Sequence, residues 1–246
     1  MWYCPRMIAN SSQPGRHAPW PSSAFLAFLV LATCFLGGCA GTGGGNYSTT
    51  AYQPASMSDV RVKVSLNQQM VYVMEGDRCL MATPTCVGKP GYPTPTGNNF
   101  AVISKNQYKR SETYGYWVNG SQAYPGESSR SPGPGWSYVG YPMAYWIEFA
   151  PGYGFHEGPV WPYPRSHGCL HIHETASAKL FELVHEGTPV EIAQSEPEDA
   201  TIGRDTKRPT DYADPDPPAA LMISRDFFQK PRDTQLLPVP TQTSGT

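Results

Sequence analysis

Apolar and polar residues alternate strictly over residues 60–66, where the sequence reads VRVKVSL. A period of two puts one set of side chains on one face of an extended chain, so this stretch is predicted as a half-buried strand. Short polar turns lead from it into two more predicted strands, and such a hairpin series is typical of an antiparallel sheet. The strands predicted after the first cover 70–74, 78–87, 100–104, 116–118, 144–149, 153–155 and 190–192.

A helical period is found near the C-terminal end of the predicted domain, where apolar residues from Ala176 to Val184 recur at i, i+4, i+7 and i+8. Thr175 is predicted as the N-cap of this helix and Gly187 as its stop. In contrast, residues 107–142 lack a clean period and are rich in Gly, Ser, Pro, Tyr and Trp. We predict an irregular lid or wall there, whose aromatics, Trp117 among them, either contact a substrate or fill the core beneath the loop.

The N-terminal part is predicted to be an export signal. An apolar run of thirteen residues, 24–36, is too short to span a bilayer as a mature helix, and it ends in the sequence LGGC. Residues 1–38 are therefore predicted as a signal peptide. The ending resembles a bacterial lipoprotein signal, which implies lipidation of Cys39, a periplasmic location and an anchor in a cell-envelope membrane. Ordinary signal cleavage and an uncleaved signal anchor remain as alternatives.

Composition divides the rest of the chain. Residues 39–58 are rich in Gly, Ser and Thr and are predicted to be a flexible tether. Residues 195–246 are acidic, Pro-rich and poor in apolar residues, which predicts a largely disordered tail. The folded domain is thus expected over 59–194. A net charge of −2 gives no basic field, so nucleic acid is not an expected partner.

The candidate chemistry lies in the sequence SHGCLH, residues 166–171, where Cys169 follows His167 by two residues. His156 lies thirteen residues upstream of the cysteine. A nucleophilic thiol needs a neighbouring base, which a histidine with a pKa near 6.5 supplies in both directions near neutral pH. The spacings of His167, Cys169, His171 and His173 do not match the usual zinc motifs, so no metal is expected.

Two other cysteines, Cys79 and Cys86, fall on one predicted strand. At the rise of an extended chain they lie about 23 Å apart, too far for a disulfide, so two free or buried thiols are predicted. A turn at 83–85 would bring them together and would make a disulfide possible.

The motifs HEG and SHGC, preceded by VGK and TPTG at 87–97, resemble the catalytic signature of the YkuD-type L,D-transpeptidases. The resemblance implies a mainly β, sandwich- or barrel-type domain with one main α-helix after the cysteine. It implies that Cys169 is the nucleophile, that His156 is the general base and that the carbonyl of Glu157 orients the base, its side chain being incidental. By the same resemblance, His167 supports the site, and Gly168 helps the backbone N–H groups near Cys169 to form an oxyanion hole. Ser166 either supports the site or serves only the chemistry of the turn.

One position departs from the family pattern, because His171 stands where Arg or Asn is usual. Histidine is a poorer clamp for a carboxylate than Arg, so a role in substrate binding is open here.

The function implied is attack on a peptidoglycan tetrapeptide stem, release of D-alanine and transfer of the stem to an amine, without a cofactor and by a monomeric domain. The alternatives are an L,D-carboxypeptidase or other peptidoglycan hydrolase that uses water, and a non-catalytic wall-binding lipoprotein.

Overall fold

The computed structural model describes residues 47–239, and ten strands and four α-helices lie within that range. The strands are β1 (Val60–Ser65), β2 (Met70–Glu75), β3 (Arg78–Cys86), β4 (Gly97–Ala101), β5 (Ser104–Asn119), β6 (Gln122–Glu127), β7 (Ser137–Ala150), β8 (Tyr153–Glu157), β9 (Leu170–Ile172) and β10 (Pro189–Ala193). The helices are α1 (Glu174–Leu183), α2 (Ile202–Asp205), α3 (Ala219–Ile223) and α4 (Asp226–Gln229).

The strands form one sheet in the order β4-β10-β1-β2-β3-β9-β8-β7-β5-β6. Alternate residues of its two halves bury their side chains in a common core, which includes Val62 and Val64 from one half and Phe149 and Phe155 from the other. The rings of Phe100 and Phe149 meet edge to face across it, with centroids 5.7 Å apart. A mainly β, sandwich-like domain is therefore confirmed.

The junction of β8 with β9 positions the candidate site. These two strands run parallel, and their register pairs His156 with His171. On its other side β9 pairs with the end of β3, so the segment is held in the interior of the sheet. A central parallel pair fixes the register of both strands and with it the relative positions of their side chains.

The prediction of an irregular wall over 107–142 was wrong for most of that segment. It forms the long antiparallel arms β5 and β7 with β6 at the edge, and the predicted strand at 116–118 lies within β5. Strands β5 and β6 carry exposed or half-buried polar residues on both faces along much of their length, so they lack the apolar alternation that marks a half-buried strand.

The helix after the cysteine motif is confirmed, with different ends. Helix α1 begins after His173, whose ring Nδ1 accepts a hydrogen bond from the Thr175 amide at 3.2 Å, so His173 is the N-cap rather than Thr175. The helix ends at Leu183, before Gly187. Leu180 is buried with the other predicted apolar residues of this face.

The described part of the predicted tether, residues 47–58, is packed on the domain. Thr49 is buried at 4% exposure and Ala51 at 1%, and the Tyr52 amide donates to the carbonyl of Leu80 at 2.9 Å. Its backbone thus has partners in the sheet, which composition alone does not reveal. Cys39, the predicted signal and the rest of the tether lie outside the described residues.

Residues 195–239, here called the C-terminal strap, contradict the prediction of a largely disordered tail. The strap carries short helical turns and runs back along the domain, where the Leu237 amide donates to Ala51 O at 2.8 Å. It docks chiefly through charged and polar groups: Lys63 on β1 lies 2.8 Å from Glu196 and 2.6 Å from Glu198. A low apolar content therefore does not mean disorder here, because the partners of these charges are supplied by the sheet.

Asp199 of the strap accepts hydrogen bonds from two fully buried side chains, Tyr72 and Ser65, each at 2.8 Å. Replacing Asp199 by alanine leaves both hydroxyls without this acceptor, so we expect a loss of about 2–4 kcal/mol in the free energy of unfolding. Chemical denaturation measures it. Asp205→Ala, which removes an exposed carboxylate of α2, is the control and should change stability by less than about 0.5 kcal/mol. Equal stability of the two variants would contradict the docking described here.

Cys79 and Cys86 are free thiols, as predicted, and so is Cys169. Among residues 47–239, helices long and apolar enough to cross a membrane are absent.

Candidate active site

The turn that presents Cys169 is closed by Ser166. The Ser166 hydroxyl is buried, donates to the carbonyl of Cys169 at 2.6 Å and accepts from the amide of Gly168 at 3.1 Å. The backbone of Ser166 pairs in turn with Val87 and Lys89 at the end of β3. The serine therefore shapes the turn.

Gly168 is required by the shape of this turn. Its φ of +109° lies in the region that favours glycine, and a Cβ atom there would come within 2.5 Å of the ring of Tyr153. Its carbonyl accepts from Thr94 Oγ1 at 2.9 Å, and this hydroxyl also accepts from the Gly88 amide. The TPTG motif thus holds the cysteine turn. Because the Gly168 N–H already donates to Ser166, it is occupied in this state, which differs from its predicted share in an oxyanion hole.

The thiol of Cys169 lies against the start of β8. Its Sγ is 3.7 Å from the carbonyl of Gly152, and the amide of Gly154 points to it. Burial raises the pKa of the thiol, and the Gly154 amide partly offsets this. The next residue, Leu170, pairs with Phe155 in the sheet.

The thiol of Cys169 lies next to the strand of the candidate base, because Cys169 directly precedes β9 and its Sγ is close to Gly152, just before β8. His156 and His171 are paired across the two parallel strands, so their side chains share a face of the sheet, with ring centroids 4.8 Å apart.

The ring of His156 is held in one orientation. Its Nδ1 lies 2.8 Å from the carbonyl oxygen of Glu157, which can only accept, so Nδ1 carries the proton and Nε2 carries the lone pair. The predicted orientation by this carbonyl is confirmed. Burial, with a smaller contribution from His171, lowers the pKa of His156 to about 3. This pKa lies below the 6.5 of a solvated histidine because Trp146 and the surrounding strands exclude water from the ring.

His171 lies beside the base, and its Nδ1 donates to the carbonyl of Pro159 at 3.2 Å. Burial lowers its pKa to about 4, so it is neutral near pH 7. A neutral imidazole cannot form an ion pair with a carboxylate, which separates it from the Arg of the family pattern.

His167 is exposed on the far side of the same turn. Its Nε2 accepts from Lys89 Nζ at 3.1 Å, and its ring stacks on Tyr114 and meets Tyr92 edge to face. Burial and the neighbouring Lys89 lower its pKa. Lys89 belongs to the VGK motif, but the motif did not predict its contact with His167.

Two predictions on side chains change. Trp117 is 9% exposed and donates its indole N–H to the carbonyl of Glu127 at 3.0 Å, so it fills the β5–β6–β7 arms rather than lining a groove. The Glu157 side chain is not incidental, since it is buried in an ion pair with Arg232 of the strap at 2.7 Å. Within the described 47–239 range, groups of three or more His, Cys, Asp or Glu residues poised to hold a metal ion are absent.

Comparisons with known proteins bear on the family of the chain. The sequence model of the YkuD L,D-transpeptidase catalytic domain matches residues 59–192, which are 134 of the 246 residues. L,D-transpeptidase 1 of Mycobacterium tuberculosis is 28% identical over 130 residues, 52% of this chain and 48% of that protein. The chain therefore spans about half the length of the curated relatives it matches.

The solved structures that match this chain are also named L,D-transpeptidases, and their sequence identities and TM-scores are low. The L,D-transpeptidase (Yku) from Stackebrandtia nassauensis is 22% identical, covers 60% of each chain and has a TM-score of 0.41. The crystal structure of M. tuberculosis L,D-transpeptidase 1 is 22% identical, covers 55% of this chain and 60% of that one, and has a TM-score of 0.39. On the sequence match over more than half of its length, the chain belongs to the YkuD L,D-transpeptidase catalytic domain family.

Proposed function

We propose that the protein is a cysteine-dependent L,D-transpeptidase of peptidoglycan, in which Cys169 is acylated by a tetrapeptide stem. The observation that carries the proposal is the oriented ring of His156. Its Nδ1–H is fixed on Glu157 O, which leaves the Nε2 lone pair to accept a proton, and the thiol of Cys169 lies close to the start of the same strand, 3.7 Å from Gly152 O. A nucleophile, a base and a group that orients the base are the parts that covalent acyl transfer needs.

In the acylation step, His156 Nε2 takes the thiol proton while Sγ of Cys169 attacks the carbonyl carbon between diaminopimelate and D-alanine. The C–N bond of the tetrahedral intermediate then breaks. His156 returns the proton to the leaving nitrogen, D-alanine departs, and the stem remains as a thioester. Backbone amides near the sulfur, of which the Gly154 N–H is one, are suited to stabilise negative charge in this region.

Deacylation repeats these steps with an amine acceptor. The amine attacks the thioester carbon, its proton passes to His156, the C–S bond breaks and the thiolate recovers a proton. With another stem as the acceptor the product is a 3–3 cross-link, whereas a lysine of a protein gives attachment of that protein. The same proposal places the domain in the periplasm, tethered to an envelope membrane by lipid on Cys39, a residue outside the described range.

The resting state in this scheme has a neutral thiol and a neutral imidazole. Burial raises the pKa of Cys169 and lowers that of His156 to about 3, so a thiolate–imidazolium pair is disfavoured before substrate binds. Proton transfer then accompanies attack on the substrate.

Intact-mass spectrometry with a disaccharide-tetrapeptide substrate tests the proposal. We expect a covalent adduct on the wild-type protein with release of D-alanine, and peptide mapping should place it on Cys169 and not on Cys79 or Cys86. An added amine should then convert the adduct into a cross-linked product. Free tripeptide stem formed at the same rate with and without the amine would identify a hydrolase. Absence of both adduct and D-alanine would contradict the proposal and favour a binding module.

A further inference from the structure

An ion pair joins the strand of the base to the strap, and its strap partner, Arg232, lies outside the part of the chain that the family match covers. Arg232 donates from two nitrogens to the two carboxylate oxygens of Glu157, at 2.7 and 3.0 Å. The side chains are only 2% and 9% exposed, and the residues are 75 positions apart in sequence. Parallel paired bonds of this kind fix the geometry as well as the charge.

Arg232 is itself held firmly. Its remaining guanidinium nitrogen donates to the carbonyls of Phe227 and Lys230, and its charge lies 5.5 Å from the centre of the Phe227 ring. The next residue, Asp233, pairs with the buried Lys179 of α1 at 2.8 Å. The strap therefore presents the guanidinium as a fixed group and not as a mobile surface cation.

Glu157 joins this pair to the catalytic face of the sheet. Its carboxylate points to the helix side, where the Ser177 hydroxyl also donates to it at 3.3 Å. Its main-chain carbonyl accepts the Nδ1–H of His156 at 2.8 Å. Glu157 is thus anchored by its side chain on the helix side of the sheet, and its backbone carbonyl orients the ring of His156.

From this arrangement we infer that Arg232 is a positioning residue: by clamping the Glu157 carboxylate it fixes the carbonyl that holds His156 in its reactive tautomer and orientation. Glu157 is the last residue of β8, and Gly158 follows it. The sheet holds the peptide through the bond from Gly158 N to Ile172 O. Because β8 ends at this residue, the anchored side chain of Glu157 adds to the backbone hydrogen bonds that hold the peptide. The C-terminal strap therefore contributes a positioning residue to the active site.

The inference rests on the proposed function, so the experiment must separate the two. Removing Arg232 alone leaves a buried, unpaired carboxylate, which strongly destabilises a protein. The informative variant is therefore the double substitution Glu157→Met and Arg232→Met. Apolar side chains of similar volume often replace a buried ion pair without loss of stability, and Ser177 keeps its contact with Glu174 O.

We expect the double variant to melt close to the wild-type temperature while its kcat for D-alanine release falls by about 10- to 100-fold with little change in KM, because a shift of about 1 Å at a reacting group can cost about 100-fold. The control is Asp205→Asn, which alters an exposed carboxylate of the strap that does not contact Arg232 and should leave kcat unchanged. A double variant with wild-type melting temperature and wild-type kcat would overturn the inference. Inactive wild-type protein would instead refute the proposed function.

A spectroscopic measurement tests the same point without turnover. Long-range ¹H–¹⁵N NMR of the wild-type His156 ring should show one neutral tautomer, protonated at Nδ1, whereas the double variant should show a mixture. An unchanged tautomer would count against Arg232. If the double variant fails to fold, Arg232→Lys carries the test, since it keeps the buried charge but loses the two-nitrogen clamp. It should show a mixed tautomer and a reduced kcat, and wild-type values for both would overturn the inference.

Discussion

Replacing Cys169 by alanine is expected to abolish acyl-enzyme formation and to lower D-alanine release by at least about 10⁴-fold, because removing the nucleophile of a covalent mechanism can cost about 10⁶-fold in rate. In the proposed mechanism the thioester forms on this sulfur, which lies beside the start of the strand that carries His156. Cys79 is a matched control, since its thiol lies under the strap on β3 and burial raises its pKa to about 11. Cys79→Ala should turn over at the wild-type rate.

Serine at position 169 sharpens this test. An alcohol is far less acidic than a thiol, and the neighbouring base has a pKa lowered to about 3, so the hydroxyl receives little help in losing its proton. We therefore expect Cys169→Ser to be nearly as inactive as Cys169→Ala, measured by the initial rate of D-alanine release and by intact mass. Substantial turnover by the alanine variant would show that another group performs the attack.

The strands that could be predicted from the sequence are those that carry buried apolar residues. The alternation at 60–66 and the apolar run at 70–74 correspond to β1 and β2. Strand β5 was missed over most of its length because its residues are mostly polar and half-buried or exposed, and its pairing is with β6 and β7. Periodicity reports burial, and it cannot report a strand that lies largely outside the core.

The strap was missed for a related physical reason. Its attachment depends on charges such as Lys63 and Arg232 that find partners more than 70 residues away, and no local pattern marks such a pair. Each charge viewed alone favours solvent, and only the folded sheet brings the opposite charge into a place where both are buried.

In the candidate site, too, some features could be predicted from the sequence and others could not. The motifs HEG and SHGC, through the family resemblance that they carry, predicted roles for Cys169, His156 and the carbonyl that orients the ring, since these depend on short segments. The protonation state could not be predicted, because the pKa of a buried imidazole depends on everything that packs against it, here Trp146 and His171 among others. Lys89 at His167 and Arg232 at Glu157 also depend on contacts between distant segments.

Replacing His156 by alanine is expected to lower the rate of acylation by about 10²- to 10⁴-fold at pH 7, the usual contribution of a general base. The pH profile is the sharper prediction. In the wild-type protein the pKa of His156 is lowered to about 3 and that of His171 to about 4, and that of His167 is lowered as well. His156 and His171 are therefore neutral from mildly acidic to neutral pH, so kcat/KM should be flat from about pH 5.5 to pH 8.

Without the base, only thiolate formed by solvent can react. Burial raises the pKa of Cys169 from its ordinary value of 9.0, so the thiolate fraction rises about tenfold per pH unit throughout the neutral range. The rate of His156→Ala should rise with the same slope, and its deficit relative to wild type should shrink as pH increases. His185→Ala, which removes an exposed histidine bonded to Glu186 and Met57 carbonyls, should keep the flat profile. A wild-type acid limb with an apparent pKa near 6.5 that His156→Ala abolishes would show instead that the base titrates as a solvated imidazole, and the neutral resting pair would have to be abandoned.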